Sequence, residues 1–107
     1  MDLPEPIRIY FEADARGDAT RLKDAFARDA VVHDEGAVPR GAQAISDWWR
    51  SAKERYRHAA QPLASSGAGR EWSVRAKVSG DFAGSPIELT FAFRLADDRI
   101  SALEIGR

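Results

Sequence analysis

"IELTFAFRL", residues 87–95, alternates without a break: Ile87, Leu89, Phe91, Phe93 and Leu95 on one side, Glu88, Thr90, Ala92 and Arg94 on the other. A period of two is the signature of a strand with one face buried and one wet, and such a strand needs a covering layer. Immediately upstream, "EWSVRAKVSGDF" (71–82) repeats the pattern, with Trp72, Val74, Ala76 and Val78 alternating with Ser73, Arg75 and Lys77. "GDFAGSP" between the two reads as a turn, and "ADD" after Leu95 as a hairpin turn into a last strand, "RISALEIG" (99–106). A further strand is expected at 58–65, followed by a turn at "SSGAGR". Consecutive hairpins dictate antiparallel pairing.

The cover must come from the first half of the chain, where the period changes to that of a helix. Ile7, Tyr10, Phe11 and Asp14 recur at spacings of three and four over residues 7–16, with Pro6 suited to a first turn and Gly17 as the stop. Asp18 is placed to cap a second short helix ending near Arg28, its stripe formed by Leu22, Ala25 and Phe26. Residues 30–34 predict a short strand with Ala30, Val32 and Asp34 on one side and Val31 and His33 on the other; Gly36, Pro39 and Gly41 then make a turn. A third and longest helix is predicted over 42–56: Ile45, Trp48, Trp49, Ala52 and Tyr56 share a stripe, while Asp47, Arg50, Lys53 and Glu54 take the other side. Helices first and hairpins afterwards give a segregated α+β layout, three helices covering one face of a strongly curved antiparallel sheet. Such a cone can hold a small ligand at its open end.

Composition narrows the partners. With 107 residues the chain is expected to be one domain, 1–107, large enough to bury roughly 65% of its unfolded surface. Sixteen Lys and Arg against 17 Asp and Glu leave a net charge of -1, so no summed field draws in nucleic acid or an anionic membrane. The absence of cysteine removes disulfides, thiolate metal sites and a cysteine nucleophile. The N-terminal "MDLPEPIRIYF" is acidic and proline-bearing where a secretory signal needs a basic start and an apolar run, and no stretch approaches membrane-spanning length. A soluble, cytoplasmic protein is expected.

The order of elements, together with "IYFEADARGDATRLKDAFARDAVVHD" and "GAQAISDWW", resembles the nuclear transport factor 2-like superfamily and, within it, the SnoaL-like group. The resemblance spans essentially the whole chain. Its most specific pieces are the aromatic-then-"GD" joint from Tyr10 to Asp18, the "F-x-x-D-A-V-V-x-D" run from Phe26 to Asp34 and the "G-x-x-A-I-x-x-W-W" helix from Gly41. It implies a cystatin-like cone and a homodimer formed through the outer sheet face. It does not imply one reaction, because ketosteroid isomerase, polyketide cyclases, dehydratases, limonene epoxide hydrolase and noncatalytic scaffolds share the fold. Ketosteroid isomerase uses an aspartate base with a tyrosine and a neutral aspartic acid holding the oxyanion. The resemblance sets Asp34 at the base position and Tyr10 at the tyrosine position. The third position falls near Phe91, which has no hydrogen bond to donate, and Trp49 stands where the isomerase supports its tyrosine with another.

The candidate residues each carry two readings. Asp34 is either a general base in an apolar cone or a strand-end carboxylate capping the amides of Glu35 to Val38. Tyr10 is either a donor to a substrate oxygen or a core aromatic whose hydroxyl meets the backbone. Asp14, one turn beyond Tyr10, faces the cone as a second carboxylate or pairs with an arginine such as Arg21. His58 could enter the cone as acid or base, whereas His33 should point away from Asp34; two histidines without ligand spacing make no metal set, and no cofactor is expected. Of Trp48 and Trp49, about 100° apart on a helix, one is expected in the core and one at the cavity or a dimer contact. Trp72, Phe91 and Phe93 are expected as cavity wall. The resulting expectation is a cofactor-independent isomerase, cyclase or lyase acting on a small apolar carbonyl compound, with a noncatalytic ligand-binding or dimeric assembly module as the alternative.

Overall fold

A computed structural model describes all 107 residues. The chain runs α1 (Glu5–Arg16), α2 (Ala19–Asp24), β1 (Phe26–Asp34), α3 (Ala42–Tyr56), β2 (Ala59–Ala68), β3 (Glu71–Ser79), β4 (Ile87–Ala96) and β5 (Arg99–Gly106). The five strands form one sheet in the order β1-β5-β4-β3-β2. It is the α+β architecture of three helices on a curved sheet.

The alternation of β4 translates directly into packing. Phe91 and Phe93 are buried while Glu88, Ala92 and Arg94 are exposed, and β3 buries Val74, Ala76 and Val78 opposite them. Against these rings lie Ile7, Tyr10 and Phe11 of α1, with the Phe11 ring edge-on to Phe91 at 5.4 Å and to Phe93 at 5.9 Å. Register slips between Pro62 and Ala64 in β2 and between Arg94 and Leu95 in β4 add the local twist that curls a sheet. Pro62 is tolerated because β2 is an edge. On the outer face Arg75 bridges Glu88 and Thr90, and Arg94 pairs with Glu71.

Three expectations are corrected. The second helix stops at Asp24, not near Arg28, although Asp18 does cap it through the Arg21 amide at 3.0 Å. Phe26 is drawn into the sheet instead: it pairs with Ile100, whose amide donates to the Ala25 carbonyl at 2.9 Å, and the ring is fully buried. Sheet pairing outweighs the helical stripe that Leu22, Ala25 and Phe26 suggest. Secondly, the sheet is antiparallel only from β2 to β5; β1 lies parallel to β5, because α3 carries the chain from β1 across to the far edge before the hairpins begin. Finally, β2 extends to Ala68, leaving only Gly69 and Arg70 as the turn.

Gly80 sets the distance between the end of β3 and the end of α3. The next amide, Asp81 N–H, donates to the Tyr56 carbonyl, and a β-carbon on Gly80 would sit 2.6 Å from that oxygen and 3.0 Å from the His58 α-carbon. Both obstacles are backbone and do not yield cheaply. Gly80→Ala should therefore lower stability by about 1–3 kcal/mol, read as a reduced urea midpoint at unchanged m-value, and should disturb His58 more than Gly106→Ala, where nothing lies within 4 Å.

Candidate functional site

Asp14 sits in the last turn of α1, which closes on Gly17 in the left-handed conformation (φ 67°). Its carboxylate is 2% exposed and completely occupied. Oδ1 accepts from the Trp49 indole at 2.9 Å and from His58 Nε2 at 3.1 Å, with Lys53 Nζ at 3.2 Å; Oδ2 accepts from the Ala60 amide at 3.2 Å. Lys53 also donates to the backbone carbonyls of Asp14 and His58, and its ammonium lies over the Trp49 ring. Burial alone would push the Asp14 carboxyl up. The hydrogen bonds from His58 and Trp49 and the charges of His58 and Lys53 outweigh it and hold the group below the usual carboxylate range. An ionised carboxylate only accepts, so the bond fixes the imidazole proton on Nε2 and leaves Nδ1 of a neutral His58 as an acceptor.

Above this knot lies a cavity of about 240 Å³, walled by α1, α3 and the inner face of the sheet and lined mainly by apolar side chains. Tyr10, Asp14, Asp34, Trp48, His58 and Phe91 all reach it. Tyr10 is 3% exposed, its ring held edge-on by Phe11, Phe26 and Phe93. The hydroxyl makes no hydrogen bond to a protein group, yet no buried polar atom is left without a partner, so this oxygen opens into the cavity. Burial, then Asp14 and Asp34, push the phenol well above its ordinary pKa, which keeps it a donor. Asp34 ends β1 facing the cavity. The turn beyond it is closed by backbone alone, Asp34 and Ala37 exchanging amide bonds at 2.9 Å, with Glu35 (φ 49°) and Gly36 (φ 87°) left-handed. The carboxylate therefore caps nothing. Burial, together with the adjacent Glu35, pushes it up, while the Trp48 indole and the charge of His58 pull the other way. Two wider grooves elsewhere on the surface contain no buried titratable group.

Not every expected wall residue reaches the cavity. Trp48 lines it, whereas Trp49 turns into the core and serves Asp14. Phe91 lines it, but Phe93, one pleat further along β4, is sealed beneath Tyr10 and Phe11. Trp72 is at the distal end of the β2–β3 hairpin, donating to the Gly69 carbonyl at 3.1 Å with its ring against Gly67, and takes no part. Arg21 is not the partner of Asp14: it lies exposed on α2, and Lys53 and His58 take that place. Lys53 itself, assigned to the wet side of α3, is the residue that the sequence reading missed; its spacing of four from Trp49, which puts the two on one helical face, was the available signal. His33 is exposed, as strand alternation requires.

The two aspartates tie stability to pH with opposite signs. Asp14, lowered on folding, contributes stability that is complete above the ordinary carboxylate pKa and is lost as pH falls through its folded value. Asp34, raised on folding, favours the fold fully below the ordinary value and loses that contribution as pH rises through its folded one. Asp14→Asn should accordingly cost about 3 kcal/mol at pH 7, leaving Lys53 unneutralised, with the deficit shrinking in strong acid. Asp34→Asn should be more stable than the parent at pH 7 and equal to it below about pH 4. Urea unfolding at stepped pH reads both.

With this geometry established, comparisons give the chain its relatives. The SnoaL-like domain model matches residues 7–103. A Sinorhizobium meliloti protein designated a polyketide cyclase superposes with a TM-score of 0.95 at 50% identity, covering 98% of this chain and 96% of that one. A cystatin-fold protein from Novosphingobium aromaticivorans (TM-score 0.82, 19% identity, 100% and 99% covered) shares the architecture. So does a protein with a ketosteroid isomerase-like fold from Catenulispora acidiphila, solved in complex with trimethylamine (TM-score 0.86, 19% identity, 99% and 87% covered). Among curated proteins nothing matches. A family model covering nearly the whole chain, joined by a half-identical structural relative, establishes the membership: this protein belongs to the SnoaL-like domain family of the nuclear transport factor 2-like superfamily.

Proposed function

We propose that the protein is a cofactor-independent proton-transfer catalyst, an isomerase, cyclase or lyase, acting on a small apolar carbonyl compound. The observation that carries this reading is the Tyr10 hydroxyl, without a protein partner, together with the Asp34 carboxylate, approached by the Trp48 indole alone, in a mainly apolar cavity. A carboxylate pushed up by burial is closer in basicity to the carbon acid from which it must take a proton. The phenol, protonated throughout the physiological range, donates to the substrate oxygen as negative charge builds on it. No proton is lost overall: Asp34 takes it from carbon and returns it to another carbon or to the leaving group. His58, oriented by Asp14, stands on the same wall.

The half-identical relative, designated a polyketide cyclase, supports a carbonyl substrate. At about 240 Å³ the cavity falls below the roughly 300 Å³ at which sites for drug-sized ligands begin, which favours a compact molecule over a multi-ring one. A second reading, a noncatalytic binding or assembly module, is favoured by Phe91, which leaves the phenol as the sole oxyanion donor from this side of the cavity. Homodimerisation through the outer sheet face and a cytoplasmic location belong to the same proposal; no helix is long and apolar enough to cross a membrane.

Proton transfer at carbon can be tested without knowing the substrate. A panel of small cyclic ketones in D2O should show deuterium entering the position next to the carbonyl faster with the protein than with buffer alone. Asp34→Asn should reduce that excess rate by about 10²–10⁴-fold and Tyr10→Phe by about 10²–10³-fold, both variants remaining folded by circular dichroism. Exchange that never exceeds buffer, or that survives Asp34→Asn, leaves the binding-module reading standing.

A further inference from the structure

The charges around the cavity are one-sided. Its lining contains three carboxylates, Asp14, Asp34 and Glu35, and neither lysine nor arginine. Asp14 is paired from behind with Lys53, and His58, the one basic side chain in the lining, is hydrogen-bonded to it. Asp34 and Glu35 have no ion pair in the chain, and the Trp48 indole is the one side-chain donor toward Asp34, although Asp34 is half-buried. A partly desolvated carboxylate left alone is costly, and a cation is its natural complement.

The wall next to these carboxylates is aromatic. Trp48, Ala52 and Tyr56 follow one another at four-residue steps on α3, so a single helical stripe presents two rings to the cavity. Tyr56 meets Phe82 edge-on at 6.3 Å, completing a ring-lined mouth. Tyr56 is 37% exposed and Glu35 is exposed, which places both at the solvent end; Tyr10 and Phe91 form the floor. Carboxylates beside exposed ring faces favour one ligand class above others, an ammonium, which gains from the negative ring faces and from the carboxylates together. The basic groups nearby are already engaged: Arg55 stacks on the Tyr56 ring at 5.4 Å, and Lys53 is bound to Asp14 and to two backbone carbonyls. Neither meets a ligand anion inside the cavity.

We propose that the cavity takes a compact ligand bearing a protonated or quaternary amine, with the ammonium held at the mouth between the Asp34 and Glu35 carboxylates and the Trp48 and Tyr56 rings. The inference rests on the reading of this cavity as the ligand site and adds the charge of its occupant: an amino-carbonyl compound in place of a neutral one, with carboxylates and phosphates rejected. The carbonyl end then lies toward Tyr10, and the apolar body spans Ile87 and Leu89.

Three benzyl probes decide it: benzyltrimethylammonium, its uncharged carbon isostere neopentylbenzene, and the anion phenylacetate, each titrated against the full chain by tryptophan fluorescence and by displacement of the Trp48 indole proton resonance. The cation should bind at least about tenfold more tightly than the neutral isostere, with phenylacetate weakest. In the double variant Asp34→Asn, Glu35→Gln the ratio of cation to neutral affinity should collapse toward one. Equal binding of cation and isostere, a preference for phenylacetate, or a ratio that survives the double variant overturns the charge assignment while leaving the cavity as a ligand site. Failure of all three to bind overturns both. Should the double variant not fold, the three wild-type titrations decide alone.

Discussion

One buried carboxylate organises this molecule. Asp14 is sealed from water and keeps its charge only because a helix, a strand start and two side chains of α3 converge on it. The four donors come from three places: the Trp49 indole and the Lys53 ammonium from α3, the His58 imidazole from the α3–β2 junction, the Ala60 amide from the edge strand. Burying a charge without such company costs several kcal/mol, so the fold cannot let one of these elements drift without exposing the cost of the others. The same knot sets the imidazole's tautomer and fixes the inner end of the cavity. A structural requirement and a chemical one are met by the same atoms.

The second constraint works in the opposite sense. Where Asp14 is oversupplied with partners, Asp34 has only the Trp48 indole and the Tyr10 hydroxyl has none. A fold that holds one carboxylate with three side-chain donors and a backbone amide, and another in the next layer with a single indole, has separated a scaffolding carboxylate from one open to a ligand. The sparsely partnered groups are those that a ligand can engage, and both project into the apolar space between helices and sheet. Membership of the SnoaL-like family is consistent with this division, since the fold is a frame on which different polar groups can be set.

Much of the architecture was legible because it depends on period alone. The alternation of Ile87 to Leu95, the helical stripe of Ile7, Tyr10 and Phe11, and the facing of Asp34 with Ala30 and Val32 all carry into three dimensions. What failed did so where long-range pairing decides. Phe26 reads as the end of a helical stripe, but Ile100, 74 positions later, claims it for the sheet, and no local window contains that partner. The direction of β1 was equally hidden, since parallel pairing with the last strand is a property of topology and not of any segment. The site was read at the level of residue type and missed at the level of depth. Trp72 and Phe93 share a face with Val74 and Phe91, and facing inward is visible in sequence; distance along the strand from the mouth is not. Lys53 was missed because a lysine is assumed to seek water, a rule that gives way when a buried carboxylate lies within reach.

The parallel pairing of β1 with β5 has a temporal consequence. Asp34 lies opposite Ile105, and the strand that carries it touches no other strand, so its position is held on the sheet side only by residues 100–105. During synthesis the helices and the first hairpins can emerge and collapse on one another, but the strand bearing Asp34 has nothing to dock on until residues 100–105 have been made. Until then the nascent chain has a half-built hollow and an unclaimed strand edge. Such late, distant contacts are the ones that slow a small domain's folding and expose it to mispairing with a neighbour.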